Sequence, residues 1–228
     1  MSLEWFEITK GNTKYFEHVM KVHEETFPIE VRESKDIFLH SLEYSKTSFP
    51  NTFRFLVGIE DGKVVSFTTG HFLADVNTGF IVYIVTDPYT RSRGLGSKTL
   101  RKIEGLLNED AIKAGFKCID KIMLETETIE RVRTDSEKKD CFKRNKFFER
   151  NKYNYINFID YRQPPLHKGE PSFPLNLFVK KYGHSEITKD VLYKAIISLY
   201  REKYFNVNGI DKETLNNCIE EMQINKQL

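Results

Sequence analysis

Thr78 to Ala114 reads TGFIVYIVTDPYTRSRGLGSKTLRKIEGLLNEDAIKA, and it changes character twice. Phe80 to Val85 is a continuous apolar run, rich in β-branched and aromatic residues and bounded by Gly79 and Pro88. Such a run predicts a strand buried on both faces. Further on, Leu100, Ile103, Leu107, Ala111 and Ala114 recur at helical spacing, while Lys98, Arg101, Lys102, Glu104 and Asn108 fall elsewhere. That pattern predicts an amphipathic helix. Between the two stands Arg91-Ser92-Arg93-Gly94-Leu95-Gly96, a tight basic turn with two glycines.

A strand that turns through glycines into a helix leaves backbone N–H groups unpaired at the helix N-terminus, where the macrodipole favours negative charge. Glycine lets a phosphate approach without a Cβ in the way, and Arg91, Arg93 and Lys98 add charge and donors. The turn suits a pyrophosphate. Two familiar phosphate patterns fail on spacing. The first glycine of a P-loop is missing, and Ser97 separates Gly96 from Lys98. A dinucleotide fingerprint needs glycine or alanine three residues after Gly96, where Thr99 stands, and no early βαβ unit carries it.

The third pattern is Arg or Gln, two residues, Gly, one residue, then Gly or Ala. Arg91 to Gly96 resembles this signature of the GNAT superfamily of acyl-CoA-dependent N-acyltransferases. The strand before, the Asp87-Pro88-Tyr89 spacer and the helix after sit where that family places them. The resemblance covers most of residues 4 to 181. It implies an α/β (α+β) fold over 4–181 with a mixed, largely antiparallel central sheet flanked by helices, followed by a helical C-terminal appendage over 184–228. It also implies acetyl-CoA as cosubstrate and transfer of its acetyl group to a primary amine by direct attack in a ternary complex.

Composition agrees with a catalytic or ligand-binding domain. The 228 residues suffice for one large core, or one with an appendage. Thirty-five basic against thirty-three acidic residues give a formal charge of +2, which argues against a protein built mainly to hold nucleic acid. Cys118, Cys141 and Cys218 form no CxxC pair and are odd in number, so neither a disulfide framework nor a zinc site is expected, and no other metal site. No charged-then-apolar leader and no apolar stretch near the ~20 residues of a bilayer span is visible, so the expectation is no membrane association and a cytoplasmic home.

Along the chain, Trp5 to Ile8 predicts a short strand, and Phe16, Val19, Met20, His23 and Phe27 a helix from about Thr13 to Thr26. His18 and His23 are five apart, too far round a helix to share a metal, and read as ordinary side chains. Ser34 is a plausible N-cap for a helix over Lys35 to Ser45. Phe53 to Ile59, Asp61-Gly62 and Lys63 to Leu73 read as a hairpin, because Asp-Gly supplies the positive φ angles that a tight turn needs. After Gly115, Lys117 to Glu127 predicts a strand, Ser136 to Asn151 a helix, Tyr153 to Ile159 a strand and Leu175 to Lys180 another. Beyond His184 the pattern is helical, with Leu192, Ala195, Ile196, Leu199 and Tyr200 on one face and Leu215, Ile219 and Met222 on a second helix. That appendage either packs on the main domain or forms a homodimer contact, and both remain open.

The resemblance also assigns roles. A main-chain N–H at the end of the central strand, among Ile84, Val85 and Thr86, would bind the acyl carbonyl, and Arg91, Ser92, Arg93, Gly94, Leu95, Gly96 and Ser97 would hold the pyrophosphate. The connection between the first two helices often lines the acceptor site in this family, which makes Glu30 and Arg32 candidate substrate contacts, with His71 a further one. An amine with a pKa near ~10 must lose a proton before it attacks, and Glu125 and Glu127, alternating onto one strand face beside the cleft, are the candidate bases. Lys146 to Tyr153 resembles the family's second landmark, commonly Phe-Tyr-Glu-Lys-x-Gly-Phe, with departures. Phe148 stands where many members carry a tyrosine thought to protonate the leaving thiolate, and a phenyl ring has no proton to give. Lys152 replaces the usual glycine, and Cys141 a frequent asparagine. These departures keep a second reading open, a non-catalytic acyl-CoA-binding or regulatory module on the same fold; a plain interaction domain without cofactor affinity is the third.

Overall fold

The computed structural model describes residues 2–87, 94–132, 134–184 and 186–228. The chain divides into two compact units, Met1–Ile119 and Asp120–Leu228. Both mix helices with strands, and the registered strand pairs within each are antiparallel.

The first unit contains β1 (Glu4–Glu7), α1 (Phe16–Thr26), α2 (Lys35–Tyr44), β2 (Thr52–Glu60), β3 (Lys63–Leu73), β4 (Thr78–Thr86) and α3 (Leu95–Lys113). Its strands pair in the order β1-β2-β3-β4. The expected hairpin is present, with Asp61 at φ 50° and Gly62 at φ 76°, the pair of positive values that matches the twist of the flanking strands. On one face of this sheet Phe16, Val19, Met20, Phe38 and Leu42 of α1 and α2 cover Phe53, Phe55, Val57, Phe67, Tyr83 and Val85. The opposite face carries α3. A Cβ on Gly70 would stand 3.4 Å from Leu107 and 3.1 Å from the Phe80 carbonyl, so glycine permits that close approach. β4 contains a bulge at Val82, since Thr69 faces Tyr83 while Gly70 faces Ile81.

The second unit contains β5 (Lys121–Glu127), α4 (Asp135–Arg150), β6 (Asn154–Tyr155), β7 (Arg162–Gln163), β8 (Phe173–Lys181), α5 (Lys189–Leu199), a π-helical turn (Tyr200–Val207) and α6 (Lys212–Glu221). β8 is its spine, pairing with β5 on one edge and with β6 and β7 on the other. Thr134 and Glu137 close a capping box at the start of α4.

Two strands are shorter than their apolar runs predict. Residues 117 to 120 do not join β5, because the Ile119 N–H is taken by Asn108 Oδ1 and the Asp120 carbonyl accepts from Tyr182 and Gly183. The run from Tyr153 to Ile159 keeps only β6 and one further bond from Ile156 N–H to the Leu177 carbonyl; the chain then leaves the sheet and returns at Tyr161, whose carbonyl accepts from Leu175. The C-terminal helices pack within this unit. Tyr200 Oη donates to the Arg162 carbonyl at 2.5 Å, and Met222 Sδ accepts from the Arg162 N–H at 3.4 Å.

Candidate active site

Of the expected pyrophosphate turn, Arg91, Ser92 and Arg93 lie outside the described residues. Gly94, Leu95, Gly96 and Ser97 open α3. Gly94 is its N-cap in the left-handed region, φ 72° and ψ 13°, with no heavy atom of the described residues within 4 Å of where a Cβ would project. Among the described residues no side chain caps this helix, and its first turn carries no acid. The N–H groups of Leu95, Gly96 and Ser97 thus have no intrahelical acceptor, and the local field is positive. Thr99 Oγ1 donates to Ser66 Oγ at 2.9 Å, and Ser66 pairs with Thr86, so the first turns of α3 sit beside the end of β4.

The β3–β4 ladder tells which main-chain groups at that end are committed. Asp87 N–H donates to the Val65 carbonyl at 2.8 Å, and the register continues through Thr86 opposite Ser66, Val85 opposite Phe67 and Ile84 opposite Thr68. Antiparallel pairs alternate between bonded and non-bonded, so Val85 directs its N–H to β3 while Ile84 and Thr86 direct theirs away from it. Of the three expected residues, Ile84 and Thr86 are those whose N–H groups point away from β3.

Glu30 and Arg32, both half-buried, lie at a 3-10 turn, Ile29–Val31, between α1 and α2. Arg32 Nη1 donates to the Glu24 carbonyl at 2.7 Å. Tyr83 ties this connection to the sheet: its hydroxyl donates to the Val31 carbonyl at 2.8 Å and accepts from the Glu33 N–H at 3.1 Å. Its ring lies against His23, Phe27 and Phe38. His23 is 1% exposed, and burial, opposed by Glu33 and reinforced by Arg32, pushes its pKa down to about 4. Sequence reasoning did not single out Tyr83; its place inside an apolar strand hides a hydroxyl that meets residues some fifty positions away. His71 is placed elsewhere. It is buried, opposite Phe80 and beside the Phe53 ring, three residues along β3 from the partner of Ile84.

In the second unit Glu125 and Glu127 lie on one face of β5, as alternation requires, but their surroundings differ. Glu127 accepts from Arg144 Nη1 of α4 at 2.6 Å, and its carbonyl accepts from the Cys141 thiol at 3.2 Å. Glu125 is half-buried and stands against the tyrosines of the C-terminal segment, Tyr161 and Tyr200, whose hydroxyls it helps to hold protonated. Phe148 is a core side chain, 3% exposed, packed between the Tyr153 and Phe178 rings. Lys152 adopts φ 69°, the left-handed conformation for which the family's glycine is suited, and Tyr153 N–H closes the end of α4 on the Phe148 carbonyl at 3.0 Å.

The model of the acetyltransferase (GNAT) family matches residues 16–131, half of the chain. The chain belongs to the acetyltransferase (GNAT) family. Solved structures of GNAT acetyltransferases share its fold. A putative acetyltransferase from the GNAT family of Bacteroides thetaiotaomicron superposes with a TM-score of 0.64 at 22% identity, over 91% of this chain and 99% of that one. The PaiA N-acetyltransferase of Thermoplasma acidophilum, in complex with coenzyme A, gives 0.52 at 16% identity over 80% and 100%. A GNAT acetyltransferase of Staphylococcus aureus gives 0.51 at 17% over 79% and 99%. No curated protein matches the chain in sequence. Acetyl-CoA is the cosubstrate of this GNAT fold, and the uncapped, acid-free start of α3 behind a left-handed glycine fits its pyrophosphate. No helix among the described residues is long and apolar enough to cross a membrane. A cavity of about 490 Å³ in the first unit, among Ile8, Leu42, Phe53, Arg54 and Asp110, contains none of the expected site residues.

Proposed function

We propose that this GNAT chain transfers the acetyl group of acetyl-CoA to a primary amine, with Glu125 as the base. The observation that carries this reading is the junction of β4 and α3. There, two main-chain N–H groups directed away from β3, on Ile84 and Thr86, stand beside a helix N-terminus whose own N–H groups have no side-chain cap among the described residues. The first pair would polarise the thioester carbonyl, and Gly94 to Ser97, with Arg91 to Arg93, would bind the pyrophosphate. Glu125 takes a proton from the ammonium form of the acceptor; the amine nitrogen then forms its bond to the carbonyl carbon as the carbon–sulfur bond breaks, and the surplus proton on that nitrogen passes to solvent to leave the neutral amide. The departing thiolate is protonated by solvent or by a group other than Phe148.

Glu125 is preferred to Glu127 because an ion pair with Arg144 already occupies the Glu127 carboxylate. Glu30 and Arg32 are proposed as acceptor contacts on the connection that Tyr83 anchors. His71 is retained as a more remote acceptor candidate. The rival reading, a binding module without turnover, is favoured by the apolar burial of Phe148.

A calorimetric titration of acetyl-CoA into the protein and into Gly96→Glu tests the site. Binding that the substitution abolishes supports it, and no binding to the parent chain removes the basis of the acetyltransferase reading. Thiol release with a panel of primary amines then separates an enzyme from a module that only binds.

A further inference from the structure

Tyr161 precedes β7, and the register of that strand extends back through it. Arg162 faces Pro174 and Gln163 faces Phe173, which sets Tyr161 opposite Leu175; the bond from Leu175 N–H to the Tyr161 carbonyl, 3.1 Å, confirms the pairing. Leu175 in turn faces Glu127, and Leu177 faces Glu125. Directly opposed residues project to the same face of a sheet, so Tyr161, Leu175, Leu177, Glu125 and Glu127 share one face. From Tyr161 the way to Glu125 runs diagonally over Leu175 and Leu177, two strand spacings or about 10 Å across. A tyrosine and a glutamate leaning toward each other span it.

This part of the face is dry. Tyr161, Leu177, Tyr200 and Tyr204 are each 1% exposed or less. A carboxylate among such neighbours is driven toward its neutral form unless a donor meets it. Tyr200 is committed, since its hydroxyl donates to the Arg162 carbonyl. The Tyr161 hydroxyl, by contrast, is buried and meets no hydrogen-bond partner within bonding geometry among the described residues. Tyr200 and Tyr204 face it from the π-helical turn, while Cys218 and Glu221 of α6 and Arg162 of β7 act on Tyr200.

We propose that Tyr161 is a positioning residue for Glu125: its hydroxyl donates to the Glu125 carboxylate, aims it and keeps it ionised within an otherwise apolar wall. Burial, with the Glu125 charge beside it, pushes the Tyr161 hydroxyl well above its usual range, so it remains a donor wherever Glu125 is ionised. The catalytic meaning of the pair rests on the reading of Glu125 as the base; the pair itself does not.

The test is a carbon-13 titration of the glutamate carboxyl groups in the full chain, with the Glu125 resonance identified by its loss in Glu125→Gln. Tyr161→Phe removes one oxygen and should raise the Glu125 midpoint at least tenfold in proton concentration; an unchanged midpoint overturns the proposal. Should Tyr161→Phe not fold, the reciprocal reading decides. In Glu125→Gln the Tyr161 ring carbon bearing the hydroxyl should titrate at lower pH than in the parent, and no change overturns the pair. Amine-dependent thiol release by Glu125→Gln is scored separately. Full turnover there removes the base role and leaves the titration result standing on its own.

Discussion

Lys152 holds a conformation that its side chain disfavours. At φ 69° a residue with a Cβ costs about 1 kcal/mol relative to glycine, so Lys152→Gly should stabilise the second unit by up to that amount, read as a higher urea midpoint at unchanged slope. The spacing of the landmark already marked this position as one for glycine; the left-handed backbone gives the reason. His23 makes the opposite kind of statement. Its folded pKa, about 4, lies below its ordinary 6.5. Above pH 6.5 both states are neutral and the group contributes nothing; as pH falls toward 4, the unfolded chain binds a proton that the folded one refuses. Stability should therefore fall through that window by about 3 kcal/mol from this residue. His23→Leu should lose that part of the slope when denaturation is compared at pH 7 and pH 4.5, and an equal slope in both proteins would assign it to other groups. Periodicity put His23 on the buried side of α1. The aromatic ring cluster that desolvates it comes from α2, β3 and β4 and is invisible to any local pattern.

Among elements, the clearest joint is made by Arg54. From β2 it donates through Nε to Asp110 Oδ2 at 2.7 Å and through Nη2 to Asp110 Oδ1, while Nη1 reaches Glu7 Oε1 at 2.7 Å. One guanidinium thus joins β1, β2 and the last turns of α3, and the two carboxylates push its own pKa up. Asp110 has a side chain only 1% exposed, with Thr52 as its other donor. Arg54→Met would leave that carboxylate buried beside a single hydroxyl, and the expected loss is about 3–5 kcal/mol in urea unfolding. A loss below 1 kcal/mol would mean that Asp110 reaches water once the arginine is gone. The elements themselves were legible where a single signal dominated. Asp61-Gly62 marked the hairpin, and the six apolar residues from Phe80 to Val85 marked β4. Legibility failed where pairing is decided far along the chain. β6 and β7 are two residues each, too short to carry a period, and they exist because β8 offers them an edge.

At the scale of the molecule, the helices after residue 184 share a compact unit with β5 to β8. Leu192, Ala195, Ile196, Leu199 and Leu215 are all fully buried, and the Arg162 backbone is held at both its N–H and its carbonyl by these helices. A chain ending at residue 183 should accordingly bind an apolar fluorescent dye and lose cooperative unfolding, whereas a soluble, cooperatively melting fragment would show the helices to be dispensable. The proposed donor half could be sought in the sequence because phosphate recognition needs a local turn, here Arg91 to Gly96, continuous in sequence. The proposed acceptor half could not, since what surrounds its candidates is set by distant pairing: Tyr83 reaches the Val31–Glu33 connection from β4, and Glu125 is opposed by Leu177 of β8. The bulge at Val82 separates these two kinds of requirement. Were that residue deleted, Ile81 would still meet Gly70 and Tyr83 would still meet Thr69, so neither face of β4 would exchange a single side chain. Deletion would remove the packing of Val82 itself against the core, but its distinctive effect is on the course of the main chain just ahead of Ile84 and Thr86. A one-residue deletion is thus a scalpel that leaves the architecture's sidedness whole while altering the path that leads to the proposed acyl-binding N–H groups.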